Sequence, residues 1–132
     1  MGDSEVNIIA KSIGTLATTA IIKETIAKKA SEFFESANLE EVSDDAMKLS
    51  KIILCGIPLN DMNEDEKWNY KILSDYPSEK IIVFQNSEDE HGTFEEVRRF
   101  LSEINPNIKV IEKPGSTHNY PYYSEFLEFL SS

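Results

Sequence analysis

Three residues of this chain carry the side-chain types of a hydrolytic triad, in the order Ser12, Asp89 and His118. A serine hydroxyl next to an imidazole, itself held by a carboxylate, can attack an acyl carbon and form an acyl-enzyme. The histidine would act first as general base toward the serine and then as general acid toward the leaving group. These residue types indicate acyl transfer, provided that the fold brings them together.

Ser12 lies between a short apolar run and a long helical pattern, in the sequence Ala10-Lys11-Ser12-Ile13-Gly14. A serine on a strand-to-helix turn is exposed at the carboxyl end of the sheet, where α/β folds bind ligands. Because strand and helix cross closely there, small residues are expected two positions before and after the serine. The main-chain N–H of Ile13 would supply half of an oxyanion hole. The alternative is that Ser12 only caps the helix.

The other two candidates lie in loops that follow later apolar runs. His118 is in a glycine-containing loop after the last run, and Asp89 is in an acidic loop after the third. Glu88 and Glu90 flank Asp89 and leave the choice of acid open, and Asp61, after the second run, is the runner-up. The plainer interpretations are an exposed histidine and a charged loop whose anion helps to start the next helix.

Strands and helices alternate around these residues. Four short runs rich in Ile and Val lack clean polar alternation, which predicts strands buried on both faces of a parallel sheet. These strands are Val6–Ala10, Lys51–Cys55, Lys80–Gln85 and Ile108–Ile111. The helical patterns are Thr15–Phe34, Asn63–Leu73 with Trp68 and Ile72 on one face, Thr93–Ile104, and a last helix opened by Pro121. The order β-α-β-α-β-α-β-α predicts an α/β fold with a four-stranded, mainly parallel sheet and flanking helices.

Two local patterns add detail to this prediction. Thr93 and Glu96 have the spacing of a capping box at a helix start. The polar, acidic segment Ser36–Leu49 is expected to be a long surface loop, with a short helix at Asp45–Leu49, and could line an acyl pocket. A plain surface loop is the alternative.

Composition limits the function further. The 132 residues suit one domain, residues 1–132, and the formal net charge of −11 argues against nucleic acid and anionic membranes as partners. The single cysteine, Cys55, lies in an apolar run, which suits a cytoplasmic protein without disulfides. Neither a membrane span nor a signal peptide is evident. His91 is the only other histidine, and since no metal-ligand spacing, phosphate loop or dinucleotide fingerprint is present, we expect chemistry without a metal or cofactor.

Three segments together resemble the C-terminal half of the α/β-hydrolase family. The segment IIAKSIGTLA is similar to its nucleophile elbow, KIIVFQNSEDEHGTFEEVRRFL to its acid strand, loop and following helix, and IKVIEKPGSTHNY to its final strand and histidine loop. The resemblance implies a serine hydrolase acting on a carboxylic ester or related acyl bond of a small molecule. It assigns Ser12 as nucleophile, Asp89 as acid and His118 as base.

The chain departs from that family at its start, because several strands precede the serine in the family. The second oxyanion donor comes there from a loop after an earlier strand, which this sequence lacks. We expect the first strand to leave one edge unpaired, and therefore a homo-oligomer or a complementing N-terminal fragment. The alternative function is a truncated, weak or inactive hydrolase that serves as a binding or structural α/β module.

Overall fold

The computed structural model describes residues 5–37 and 48–132. They form one parallel four-stranded sheet in the sequential order β1-β2-β3-β4. The strands are β1 Glu5–Lys11, β2 Lys48–Cys55, β3 Ile81–Asn86 and β4 Lys109–Lys113. The α-helices are α1 Ile13–Ala37, α2 Glu64–Trp68, α3 Phe94–Ile104 and α4 Tyr123–Ser131, and 3₁₀ turns cover Leu59–Asp61, Asn69–Asp75 and Ser78–Lys80. The predicted α/β fold is confirmed.

The sheet separates two apolar layers because side chains of a strand alternate between its faces. Ile52, Leu54 and Val83 pack on one face with residues of α1, α3 and the 3₁₀ turn Asn69–Asp75. Ile53 and Phe84 pack on the other face against α4. The larger cluster and most helices thus share one face of the sheet.

Burial differs between the inner and outer strands. β2 and β3 are almost wholly buried, as their Ile- and Val-rich runs predict. The expectation of burial on both faces is wrong for β1 and β4, whose residues are exposed or half-buried. Both lie at the edges of the sheet, so β1 has one strand neighbour among the described residues, as expected.

The helical predictions are confirmed in outline and corrected in detail. α1 begins at Ile13, ahead of the predicted start, and α4 begins at Tyr123. The capping box of Thr93 and Glu96 is present at the start of α3. Trp68 does not share a buried face with Ile72, because α2 ends at Trp68 and a 3₁₀ turn follows; Trp68 is 64% exposed.

The start of β2 also differs from the prediction. β2 already includes Lys48 and Leu49, so the proposed short helix does not extend over these two residues. The rest of that prediction, and most of the acidic segment, lies outside the described residues. None of the helices within the described ranges combines the length and the apolar character that a bilayer span requires.

Candidate active site

The carboxyl ends of β1 to β4 meet at one edge of the sheet, because all four strands run parallel. Ser12 follows β1, Gly56 follows β2, Asp89 lies in the loop after β3, and His118 in the loop after β4. This edge is where open α/β sheets bind their ligands. All three predicted site residues therefore lie at the same side of the fold.

Ser12 occupies a strained turn between β1 and α1. Its φ of 58° makes it the one non-glycine residue with a positive φ within the described chain. Such a conformation is unfavourable for an L-residue with a Cβ and is retained only where the surroundings impose it. The Ser12 N–H donates to the Cys55 carbonyl at 2.9 Å, and its carbonyl accepts from the Thr15 N–H at 2.9 Å and from Thr15 Oγ1 at 2.7 Å.

A buried hydroxyl pair anchors this turn to the helical layer. Thr15 and Tyr70 are fully buried, and their oxygens lie 2.6 Å apart in a hydrogen bond. Burial raises the pKa of Tyr70 to about 12, an effect that the bond to Thr15 only partly offsets. The neutral phenol therefore persists at physiological pH and holds the backbone of the serine turn through Thr15.

The small residues around Ser12 are less constrained than the sequence suggested. A Cβ placed on Gly14 would meet the Cβ of Ala10 at 3.7 Å, an ordinary contact. Strand and helix therefore leave room for one further carbon at this crossing. Ile13 begins α1, and its N–H is one of the helix-start amides that have no intrahelical partner.

Asp89 and His118 form a hydrogen-bonded acid–base pair. Asp89 is fully buried, and one of its carboxylate oxygens, Oδ2, lies 2.6 Å from Nδ1 of His118. The other oxygen, Oδ1, accepts the backbone N–H of His91 at 2.9 Å. Glu88 and Glu90, the alternatives left open by the sequence, are exposed. Of these three acidic residues, Asp89 is therefore the one that is buried and bonded to His118.

Tyr120 completes the environment of the carboxylate. Its hydroxyl donates to Asp89 Oδ2 at 2.6 Å and accepts the backbone N–H of Asn86 at 2.9 Å. Burial raises the pKa of Asp89, but the hydrogen bonds from Tyr120, His118 and the His91 N–H outweigh it and leave that pKa below its ordinary value. Burial and the adjacent Asp89 raise the pKa of Tyr120. The pair is thus an ionised carboxylate and a neutral phenol at neutral pH.

Gly56 makes room for the histidine. It has a φ of 62°, and a Cβ there would lie 2.9 Å from Cε1 of His118 and 2.7 Å from Cε1 of Tyr120. Both distances are too short for a real carbon–carbon contact. A glycine is required at the end of β2 for the conformation of the backbone and for the approach of these two rings.

Asn86 fixes the loop that carries His118. This buried amide at the end of β3 donates to the carbonyls of Thr117 at 2.8 Å and Asn119 at 3.0 Å, the residues on either side of the histidine. The side-chain oxygen of Asn86, Oδ1, accepts a hydrogen bond from the hydroxyl of Tyr122. One side chain thereby holds the backbone before and after the imidazole.

A second carboxylate–histidine pair lies beside the first. Asp61, the alternative acid, is bonded to Nδ1 of His91 rather than to His118. The His91 and His118 rings lie with their centroids 4.4 Å apart. The hydrogen bond with Asp61, opposed by a small desolvation effect, raises the pKa of His91. Asp61 therefore belongs to a neighbouring pair and not to the Asp89–His118 pair.

The buried amide of Gln85 joins the loops that carry these pairs. It accepts from the Ile57 N–H at 3.0 Å and donates to the Gly92 carbonyl at 2.6 Å. A Cβ on Gly92 would lie 2.6 Å from the Ile57 carbonyl oxygen, so the two loops touch through their backbones. The loops after β2 and β3 therefore form one structural unit.

The serine and the histidine lie at the same sheet edge but are not joined by a hydrogen bond. Ser12 N contacts the Cys55 carbonyl, and His118 Cε1 abuts the adjacent Gly56, so Ser12 N and Cε1 lie no more than about 10 Å apart by covalent geometry. Nε2 of His118 is buried and has no hydrogen-bond partner within residues 5–37 and 48–132. The hydrogen bond from serine to histidine that a triad uses is thus not formed.

Sequence reasoning missed four residues that build this site, namely Gly56, Asn86, Tyr120 and the ring of His91. Two of them carried a usable signal. Asn86 closes a run of apolar strand residues with an amide, and Tyr120 follows the candidate histidine by two positions. The contacts of Gly56 and His91 depend on loops distant in sequence, which no local pattern reports.

Comparison of the chain with protein-family models, with curated proteins and with solved structures found no match.

Proposed function

We propose that this protein is a serine hydrolase of the α/β-hydrolase type that cleaves a carboxylic ester or related acyl bond of a small molecule. The observation that carries the proposal is the buried Asp89 carboxylate bonded at 2.6 Å to Nδ1 of His118, with Nε2 left without a partner. This is the arrangement in which a carboxylate fixes the tautomer of a general base. The strained turn at Ser12 supports it, because it places a hydroxyl at the same sheet edge.

The proposed reaction begins with attack of Ser12 Oγ on the acyl carbon, while its proton passes to Nε2 of His118. The tetrahedral intermediate collapses, and the same proton is delivered to the leaving oxygen. Water then attacks the acyl-enzyme, His118 again taking and returning the proton, and the acid is released. Asp89 stays ionised throughout and stabilises the imidazolium through Nδ1.

The mechanism requires a hydrogen bond from Ser12 to His118 and hydrogen-bond donors to the oxyanion, and the structure supplies these contacts only in part. Ser12 Oγ must move within hydrogen-bond reach of Nε2, a contact that commonly tightens only when substrate binds. The N–H of Ile13 would donate to the oxyanion, and the mechanism we propose assigns no second donor within residues 5–37 and 48–132. One missing donor typically reduces the rate by about 10²–10³. We therefore expect a slow hydrolase from this chain alone.

The test is covalent labelling by a fluorophosphonate, read by intact-mass analysis of the purified chain. One adduct on the wild type, absent from Ser12→Ala and from His118→Ala, is the expected result. Ser116→Ala is the matched control, because Ser116 is an exposed serine in the loop of His118. It should label like the wild type.

Two results would contradict the proposal. An adduct that persists in Ser12→Ala would place the reactive group elsewhere. An unlabelled wild type that is folded by circular dichroism would leave the chain as an α/β module of the binding or structural kind. Restoration of labelling by an added N-terminal fragment would instead support a hydrolase divided between two chains.

The proposal extends to the partners and location of the chain. β1 is an edge strand, and Ile9 within it is 54% exposed, so we propose that a second copy or a complementing N-terminal fragment pairs with it. A mass of one chain by light scattering at all concentrations would exclude the homo-oligomer. We propose a cytoplasmic location, since the single cysteine, Cys55, is buried and free, so the described fold does not depend on an oxidising compartment.

A further inference from the structure

We propose that two copies of this chain pair through antiparallel β1 strands, so that their four-stranded sheets become one continuous sheet. Among the described residues, β1 lies at one edge of the sheet and has β2 as its only strand neighbour. The trans peptide that points the Ser12 N–H toward Cys55 of β2 points the Lys11 carbonyl the opposite way. β1 therefore presents main-chain groups that a further strand can bond.

The middle of β1 is open to such pairing. The residues from Val6 to Ala10 carry neither a charge nor a proline, the two features that commonly protect an edge strand. The register irregularity between Val6 and Ile8 places the extra residue on β2, so β1 keeps its regular alternation of exposed and half-buried residues. An exposed isoleucine, Ile9, lies beside the open main-chain groups and favours contact with another apolar strand.

The charges at the ends of β1 select an antiparallel strand of the same sequence as its partner. Glu5 and Lys11 are both exposed and carry opposite charges at the two ends of the strand. A two-fold axis at Ile8 places Glu5 of each copy opposite Lys11 of the other. Opposite charges on facing strands stabilise a sheet. β1 is therefore complementary to itself, as a symmetric dimer requires.

The other edge of the sheet lacks this property. β4 has a lysine at each end, Lys109 and Lys113. A two-fold axis at Ile111 would place these lysines opposite each other in an antiparallel pair of β4 strands, and like charges in that position are destabilising. The charge pattern thus favours β1 over β4 as the edge that pairs with a second copy.

The side of α1 next to β1 adds an apolar contact. A Cβ on Gly14 would meet the Cβ of Ala10 at 3.7 Å, so this side of the helix faces β1. Ile21 follows Gly14 by seven positions, which places it on the same side of α1, and it is 46% exposed. The axis that pairs the β1 strands brings both α1 helices to one face of the joined sheet, where the two copies of Ile21 would be covered.

The experiment is sedimentation analysis of the purified chain over a range of concentrations, which measures the dissociation constant of the dimer. We expect a dimer for the wild type. Glu5→Lys or Lys11→Glu alone should weaken it by about ten-fold or more, because each places like charges opposite each other twice. The double variant restores both opposite-charge pairs and should dimerise like the wild type. Lys109→Glu, on β4, is the matched control and should change nothing.

Disulfide formation between copies tests the register. The axis at Ile8 brings the two Ile8 Cα atoms to about 4.5 Å, within the range that a disulfide spans. Oxidation of Ile8→Cys should therefore join two copies. In Ile9→Cys the two cysteines would lie two positions apart along the strands and should stay unjoined. Joining of Ile9→Cys without joining of Ile8→Cys would overturn the register.

Two results of the sedimentation analysis would overturn the pairing of copies. A wild type with the mass of one chain at all concentrations would do so and would favour a complementing fragment as the partner of β1. A double variant as weak as the single variants would show that Glu5 and Lys11 do not face each other.

Fluorophosphonate labelling separates this inference from the hydrolase. The inference rests on the edge pairing included in the proposed function and commits it to a second copy, but it does not depend on any reaction of Ser12. A dimer with the expected charge dependence that never labels supports the pairing and contradicts the hydrolase. A chain that labels at Ser12 but stays a monomer supports the hydrolase and contradicts the pairing.

Discussion

The two ends of the sheet edge that carries the proposed site are built to different degrees. Around β3 and β4, Asp89 is fully buried and receives three hydrogen bonds, and Asn86 holds the backbone on both sides of His118. Around β1, hydrogen bonds hold the backbone of Ser12, but the residue is only half-buried and follows a strand whose residues are exposed or half-buried. The end with Asp89 and His118, the proposed acid–base end, is therefore preorganised. The end with Ser12, the proposed nucleophile end, has hydrogen bonds only to its main chain among the described residues.

The two ends also differ in their buried charged groups, because the Asp89 carboxylate lies at the end with His118. A buried carboxylate is tolerated only when its hydrogen bonds replace lost hydration, so the network around Asp89 must remain complete. Ser12 carries no such constraint, because its hydroxyl is uncharged and the residue is only half-buried. Changes at the acid–base end should consequently disturb both reactivity and stability, whereas changes near Ser12 should be milder for the fold.

The largest effect is expected on reactivity, from Asp89→Asn. Asparagine keeps the shape but cannot hold the reactive tautomer of His118, and we expect the rate of fluorophosphonate labelling to fall by about 10³–10⁴. The second-order labelling rate measures it. Glu88→Gln, an exposed neighbour, should change the rate less than about three-fold. A wild-type rate in Asp89→Asn would show that the acid–base end does not activate the serine.

The next effect concerns stability. Asn86→Ala removes the partly buried bonds to the carbonyls of Thr117 and Asn119 and the bond from the hydroxyl of Tyr122. We expect a loss of about 2–4 kcal/mol in the free energy of unfolding, measured in urea. Ser87→Ala removes a partly exposed hydroxyl from the next position and should cost less than about 1 kcal/mol. Similar losses in the two variants would mean that Asn86 does not hold the loop.

A matched pair of glycine substitutions compares the two ends directly. The Cβ that Gly56→Ala adds would lie less than 3.0 Å from ring atoms of His118 and Tyr120. The backbone there also has a positive φ, which an alanine rarely adopts. We expect a loss of about 1–3 kcal/mol and slower labelling. The Cβ that Gly14→Ala adds would make only an ordinary van der Waals contact with Ala10. Because alanine favours a helix more than glycine does, this substitution within α1 should stabilise the protein by up to about 1 kcal/mol. Equal losses in thermal denaturation would contradict the proposed difference in packing.

The sequence predicted more of the fold than of the site. Runs of Ile and Val located all four strands, and Thr93 with Glu96 located the start of α3, because these signals are local. Burial of β1 and β4 was overestimated, since the order of strands, which decides the edges, is set by tertiary contacts. The sequence ranked Asp89 ahead of Asp61, but only the fold shows that each carboxylate is bonded to a different histidine.

The smallest expected effect tests the anchor of the serine turn through its pH dependence. The pKa of Tyr70 is raised to about 12, above the value near 10 of an exposed tyrosine, so its neutral form favours the folded state. This contribution is complete below about pH 10 and is lost as the pH rises toward 12, by at most about 1.4 kcal/mol per pH unit.

Tyr70→Phe isolates that contribution, because other buried tyrosines titrate equally in both proteins. We expect the difference in unfolding free energy between the wild type and Tyr70→Phe to be constant from pH 7 to about 9 and to shift against the wild type above about pH 10. Urea denaturation at each pH measures it. Parallel curves up to pH 11 would mean that Tyr70 ionises without cost. The phenol would then not be enclosed beneath the serine turn, and the two ends would differ more than proposed.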